Sequence, residues 1–236
     1  MASVKVIRIP VGYANTFLLV NGKQSVLIDT GIKNQALYIL SKMERYGVKA
    51  SELALIIQTH THFDHAGNTA RLKELTRAKV AVHETEAAYL EEGYTPIPDG
   101  TNLYTKFIAS LGRKVYPGVA AYEAVKPDIL VPDKSDLSEW GIDGYIIHTP
   151  GHTEGSLSVV IENRLVVAGD CFFPLYVKSV FPPFCNNIPA LMKSWKKIFD
   201  LNIDKIYAGH GPLFSRERGM KYYNRRLAGK EAYFSD

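Results

Sequence analysis

Apolar and polar positions alternate over residues 4–9, short apolar runs follow at 16–20 and 25–29, and each stretch reads as a β-strand. The Asn21-Gly22 pair between the second and third predicts a hairpin turn. At 35–46 the period changes: Ala36, Ile39, Leu40 and Met43 recur at helical spacing, so an amphipathic helix is expected. Residues 53–58 form a continuous apolar run of buried-strand length, followed by a helix at 68–75 and a short strand at 79–82.

Residues 85–140 behave differently. A helical stretch at 85–92 is followed by Pro96, Pro98, Gly100, Gly112, Pro117, Gly118 and Pro127, which interrupt regular structure. The segment also carries Tyr89, Tyr94, Tyr104, Tyr116 and Tyr122. It reads as a partly helical insertion, or cap, over one face of the core. Regular order resumes with strands at 145–148, 156–161 and 165–168, a helix at 189–199 and a strand at 205–208. Strands followed by helices in both halves imply sheets packed inside and helices outside, an α/β layered architecture in a single domain spanning 1–236.

With 46% hydrophobic residues the chain of 236 can bury a sizeable core. No run approaches the roughly 18 apolar residues of a membrane helix, and residues 1–10 lack the apolar region of a signal peptide. A cytoplasmic location without a membrane partner is therefore expected. The two cysteines, Cys171 and Cys185, read as buried or semi-exposed thiols, with a single bridge across their short loop as the alternative. Net charge is +4, but the basic residues are dispersed except at Lys193, Lys196, Lys197 and at Arg216, Arg218, Lys221, Arg225, Arg226. Solvated helix faces explain that spacing, so nucleic acid is not the expected partner. The segment 222–227 is expected to cap the fold or to pair two subunits as a homodimer.

The histidines narrow the chemistry. His60 and His62 follow the apolar strand directly, and in extended chain positions i and i+2 point the same way, so both can grip one ion. Asp64 and His65 come where the chain turns into a helix, aimed at a second position. His152 lies in Pro150-Gly151-His152, Asp170 in Gly169-Asp170 and His210 in Gly209-His210-Gly211-Pro212. Each follows a predicted strand and sits beside glycine, where scaffolds place catalytic groups.

Together these motifs resemble the metallo-beta-lactamase superfamily, as does the opening Asn15-Thr16-Phe17-Leu18-Leu19 through Leu27-Ile28-Asp29-Thr30-Gly31. The likeness extends from about residue 4 to 212. It implies a four-layer αββα sandwich and a binuclear site. Carried over, His60, His62 and His152 would bind one divalent ion, and Asp64, His65 and His210 the other, with Asp170 bridging both. Asp29 is expected to orient a ligand, His148 to stand behind one, and His83 to be structural. Zinc is the expected metal, and iron or manganese suits the same donors.

The resemblance implies hydrolysis by a metal-bridging hydroxide, with Asp64 orienting the water and accepting its proton. Among branches of the family, Asp170 and the missing signal peptide argue against a true β-lactamase, and the short tail after His210 argues against a glutathione thioesterase. His62-Phe63-Asp64-His65-Ala66-Gly67 and His148-Thr149-Pro150-Gly151-His152 are similar to lactonases. The expected substrate is a small molecule with an ester, thioester or lactone bond. The alternatives are an iron-dependent persulfide dioxygenase-like oxidoreductase and a phosphodiesterase or nuclease. Phe172, Phe173, Tyr176, Phe181 and Phe184, close after Asp170, are expected to line an apolar substrate pocket.

Overall fold

The computed structural model describes residues 3–22, 24–115, 117–175 and 179–229. In chain order the elements are β1 (Lys5–Val11), β2 (Ala14–Val20), β3 (Ser25–Ile28), α1 (Ala36–Arg45), β4 (Leu53–Ile57), α2 (Phe63–Ala66), α3 (Thr69–Thr76), β5 (Lys79–His83), α4 (Ala87–Glu92) and α5 (Leu103–Val115). They continue as β6 (Ile129–Val131), β7 (Lys134–Asp136), β8 (Gly144–His148), β9 (Leu157–Ile161), β10 (Leu165–Val167), α6 (Ile188–Phe199), β11 (Lys205–Tyr207), β12 (Phe214–Ser215) and α7 (Arg216–Leu227). Two six-stranded sheets result, ordered β1-β2-β3-β4-β5-β6 and β12-β11-β10-β9-β8-β7.

Three apolar layers hold this arrangement together, as a four-layer sandwich requires. On β3, Val26 and Ile28 face the other sheet while Leu27 faces outward, because strand side chains alternate. The inner layer joins Phe17, Leu19, Leu55 and Ile57 to Ile146, Val159, Ile161 and Val167. Outside the first sheet, Ile39 and Met43 of α1 and Leu72 of α3 cover Leu18, Leu27 and Ile56. Outside the second, Leu191, Trp195 and Ile198 of α6 and Tyr222 of α7 cover Val160 and Val166. Both sheets are thus covered on both faces, which explains the near-continuous apolar run of β4.

Sheet topology sets where the loops gather. β3, β4, β5 and β6 are parallel neighbours. In the second sheet β8 and β10 both run antiparallel to β9, and β11 is parallel to β10. The carboxyl ends of β8, β10 and β11 therefore share one edge. Asn15 N–H donates to Gly209 O (2.7 Å) and Leu157 N–H to Thr59 O (2.7 Å), which brings that edge against the end of β4.

Several expectations change in detail. The tight two-residue hairpin lies at Gly12-Tyr13, where Val11 pairs with Ala14 and Gly12 takes φ +69°. The Asn21-Gly22 turn belongs to a four-residue loop, since Val20 pairs with Ser25, and Asn21 Oδ1 accepts from Gln24 N–H at 3.3 Å. Between β5 and β6 the chain forms the thirteen-residue helix α5, capped by Asn102 Oδ1 on Thr105 N–H (2.9 Å). Short strands β6 and β7 were not anticipated, whereas the basic C-terminal stretch read as a solvated helix face forms α7. Tyr116 and Tyr176 lie outside the described residues.

Candidate metal centre

Asp29 ends β3 with φ +59°, a left-handed turn that points its carboxylate under the loop after β4. There Oδ1 accepts Thr59 N–H (2.7 Å), while Oδ2 accepts the Thr59 hydroxyl (2.8 Å) and His65 Nδ1–H (2.9 Å). Because the Thr59 hydroxyl donates to Asp29, its lone pairs face His60 Nδ1 at 3.1 Å. Two rings are thereby fixed with their Nε2 lone pairs turned away from Asp29. His152 Nδ1 donates to Phe184 O and His210 Nδ1 to Tyr13 O, each at 2.9 Å, which fixes two more.

The free nitrogens converge. His152 Nε2 lies 2.9 Å from His62 Nδ1, and donor atoms of His60, His62 and His152 all fall within 4.8 Å of one another. A second group, Asp64, His65 and His210, meets the same limit, with His210 Nε2 3.3 Å from Asp64 Oδ2 and 3.3 Å from His65 Nε2. Asp170 stands between them. Its Oδ2 is 3.6 Å from His152 Nε2 and 3.4 Å from His210 Nε2, and its Oδ1 is 3.4 Å from His65 Nε2. All seven predicted residues are brought together. Gly209 permits this approach, since a β-carbon there would overlap Asp170 Oδ1 and His65 Cε1.

This donor set fits cations. Lone pairs of neutral rings would otherwise face one another in a buried space, and His60 Nε2, His62 Nε2 and Asp170 Oδ1 have no hydrogen-bond partner there. Burial, reinforced by neighbouring imidazoles, holds His60 well below the usual histidine range and His62 down to about 3, so both present neutral nitrogens. His152 is also lowered by burial. At the other pole burial is outweighed: Asp170, Asp29 and Asp64 push His65 well up, and Asp170 and Asp64 raise His210 to about 10. Burial likewise opposes ionisation of Asp64 and Asp170, yet His65 and His210 hold both carboxyls low. The carboxylate pole attracts positive charge, and protons occupy the role a cation would take.

The remaining predicted residues divide. Asp29 contacts His65 of the cluster. His148 does not: its Nε2 donates to Glu154 O (2.8 Å), its Nδ1 faces Asp133 Oδ1 (3.3 Å), and its ring stacks on His83 at 4.0 Å. It shapes the loop after β8 rather than holding a ligand. His83, His148 and Asp133 bring donor atoms within 4.8 Å, but rings only 20° from parallel direct their in-plane lone pairs side by side. His83→Ala is accordingly expected to retain full metal content by elemental analysis, and loss of an ion would make His83 a ligand.

The aromatic pocket needs correction. Phe172 is fully buried against Trp195 (4.6 Å), and Phe181 packs edge-on to the same ring (5.8 Å), so both belong to the layer under α6. A single 3-10 turn at Gly169–Cys171 after β10 carries Phe172 to that outer side. Phe173 does reach the site, its ring 4.6 Å from that of His210, and Phe184 contributes through its carbonyl to His152.

Two participants were missed. Tyr13, in the β1–β2 turn, stacks near His210 (6.0 Å), and its phenol is raised by partial burial and by Asp64. Glu86, at the start of α4, is buried and accepts Thr61 N–H (3.0 Å), the Thr61 hydroxyl (2.5 Å) and Gly155 N–H (3.3 Å). It ties the residue between His60 and His62 to the loop that follows His152. Glu86→Ala is expected to cost about 2 kcal/mol of stability from stranded donors and roughly tenfold in metal affinity. Thermal melts with metal titration would check both.

Comparison with known proteins agrees with this geometry. Residues 9–210 match the metallo-beta-lactamase superfamily. A probable metallo-hydrolase of Methanocaldococcus jannaschii is 30% identical over 212 residues, covering 87% of this chain and 91% of the relative. An acyl-coenzyme A thioesterase of Homo sapiens is 27% identical over 222 residues, covering 87% of this chain and 75% of the relative. The structure of an archaeal metallo-beta-lactamase superfamily protein from Sulfolobus tokodaii superposes with a TM-score of 0.70 at 21% identity, covering 100% of this chain and 90% of its own. No helix among the described residues is long and apolar enough to cross a membrane. By its fold, its matched span and its clustered histidines and aspartates, the chain is a metal-dependent hydrolase of the metallo-beta-lactamase superfamily.

Proposed function

We propose that the chain binds two divalent ions, zinc by preference, and hydrolyses an ester, thioester or lactone bond of a small molecule, a thioester first among these. The observation that carries this reading is Asp170, whose carboxylate faces His152 on one side and His65 and His210 on the other at 3.4–3.6 Å. A carboxylate so placed suits a ligand shared by two ions. His60, His62 and His152 would hold one ion, and Asp64, His65 and His210 the other. When bound, the ions would polarise the scissile carbonyl and lower the pKa of a coordinated water to about 7.

The protein's own groups do the rest. Asp64 is ionised, held by its histidine neighbours, and can orient the attacking water and take its proton. Tyr13 keeps its phenol protonated beside Asp64, leaving an O–H donor at the rim. Phe173, against His210, offers an apolar wall to an acyl group. Residues 85–140 serve as a cap of the same domain, held to the site through Glu86. Preference for a thioester is supported by the human relative, itself an acyl-coenzyme A thioesterase.

A panel of acyl thioesters, p-nitrophenyl esters, lactones and bis-p-nitrophenyl phosphate tests this reading on the zinc-loaded protein. Turnover of thioesters or carboxylic esters, with little on the phosphodiester, is expected. Faster phosphodiester cleavage would contradict it. So would one iron per chain with oxygen uptake on a persulfide.

A further inference from the structure

Helix α5 packs the wrong way round for a helix of an isolated chain. Its inward side is made of small residues: Thr105 and Ala109 are buried, and Gly112 sits against Ile97. Its apolar side faces solvent, with Leu103 88%, Tyr104 73%, Phe107 66%, Ile108 39% and Leu111 49% exposed. These five lie at i, i+4 spacing in two adjacent ridges, a continuous stripe. At roughly 150–200 Å² per large side chain, the stripe exposes on the order of 500 Å² of apolar surface, near the upper end for a monomer.

We propose that this face is the subunit interface with a second copy of the chain. Two such stripes brought together bury on the order of 1,000 Å², the threshold of a specific interface. Val119, Tyr89 and Tyr94 are also exposed in the same segment between β5 and β6. Charge also fits a second copy. Helix α5 carries Lys106 and Lys114, beside an Arg113 held by Asp99 of its own chain (3.1 Å), and no acid, whereas α4 ends in the exposed Glu91 and Glu92 and carries no base. A two-fold axis sets the α5 of one protomer against the α4 of its partner, so the basic edge meets the acidic edge twice. An anionic lipid surface would attract α5 but repel α4.

The face is continuous with the metal centre. Just before α5, Thr101 N–H donates to Pro183 O (2.9 Å) and Asp99 O accepts Cys185 N–H (2.7 Å). Between these contacts Phe184 holds His152. The homodimer expected from the C-terminal segment is thereby relocated to α5, beside the site.

Sedimentation velocity with light scattering, from about 1 to 100 µM protein, tests this on the full chain. Wild type is expected to be a dimer. Leu103→Asp with Phe107→Asp should raise the dissociation constant at least about 100-fold while the melting curve stays that of a folded protein. Both positions are solvent-exposed in the protomer, so these changes should not disturb folding. Glu91→Lys with Glu92→Lys should weaken the dimer, and adding Lys106→Glu with Lys114→Glu should restore it. A monomeric wild type at the highest concentration overturns the proposal. So does a dimer unaffected by the aspartates, an unrestored charge swap, or a monomer that pellets with phosphatidylserine vesicles through Phe107.

Discussion

Asp170→Ala is expected to lose at least one bound ion per chain and to lower turnover at least about 100-fold, the upper end of what loss of a mere outer partner costs a metal site. The reason lies in its position. Asp170 lies within 3.6 Å of histidines of both clusters, and its Oδ1 is buried without a hydrogen-bond partner. Removing it leaves His65 and His210 facing each other with Asp64 beside His210 and Asp29 behind the His65 ring. The fold should survive, since Asp170 contacts His65, His152 and His210 rather than the apolar layers. Metal content by elemental analysis, alongside initial rates on a thioester, checks the expectation. Full content with full rate would remove Asp170 from the shared role.

Asp29→Ala is expected to act from behind the ligands and to damage both stability and metal binding. Its carboxylate accepts three hydrogen bonds, from Thr59 N–H, the Thr59 hydroxyl and His65 Nδ1–H, in a fully buried position. Alanine strands these donors at about 1–3 kcal/mol each before relaxation. It also frees the His65 ring to turn, for which a 10–100-fold loss in metal affinity is the usual scale. A distinguishing readout is the partial rescue expected from Asp29→Asn, whose amide oxygen can still accept from Thr59 or His65. Equal melting temperatures and metal affinities for wild type and Asp29→Ala would contradict the role given to it.

Much of this site is legible in the sequence because its chemistry is local. His60, His62, Asp64 and His65 sit within six residues after an apolar run, and His152, Asp170 and His210 each follow a strand beside a glycine. Parallel strands then bring those separate loops to one edge, a property of topology rather than of any single motif. Glu86 was invisible because a lone acid at a helix start looks like an ordinary first-turn carboxylate. Tyr13 gave no sign because it falls between the strands expected at 4–9 and 16–20, where no motif marks it.

Elsewhere the signals conflicted. Leu103, Tyr104, Phe107, Ile108 and Leu111 do carry helical spacing, but Gly100, Gly112 and Pro117 frame them as a broken stretch. Local capping by Asn102 and packing of the small face prevailed over those breakers. Strands β6 and β7 have three residues each, too few for a period to show. Helix α7 buries little beyond Gly219 and Tyr222, so only the spacing of its basic residues marked it, as a solvated helix face. Phe172 and Phe181 were assigned to the pocket by proximity to Asp170, but the 3-10 turn after β10 carries Phe172 to the outer side, and Phe181 packs on Trp195 there.

The central claim is that two ions, shared through Asp170, carry the reaction. Its most direct test is to strip the protein of metal and titrate zinc back while following bound metal and thioester hydrolysis together. Activity is predicted to rise with occupancy of the second site and to saturate at two ions per chain. Full activity at one ion per chain, or hydrolysis that persists in the stripped protein, would contradict it.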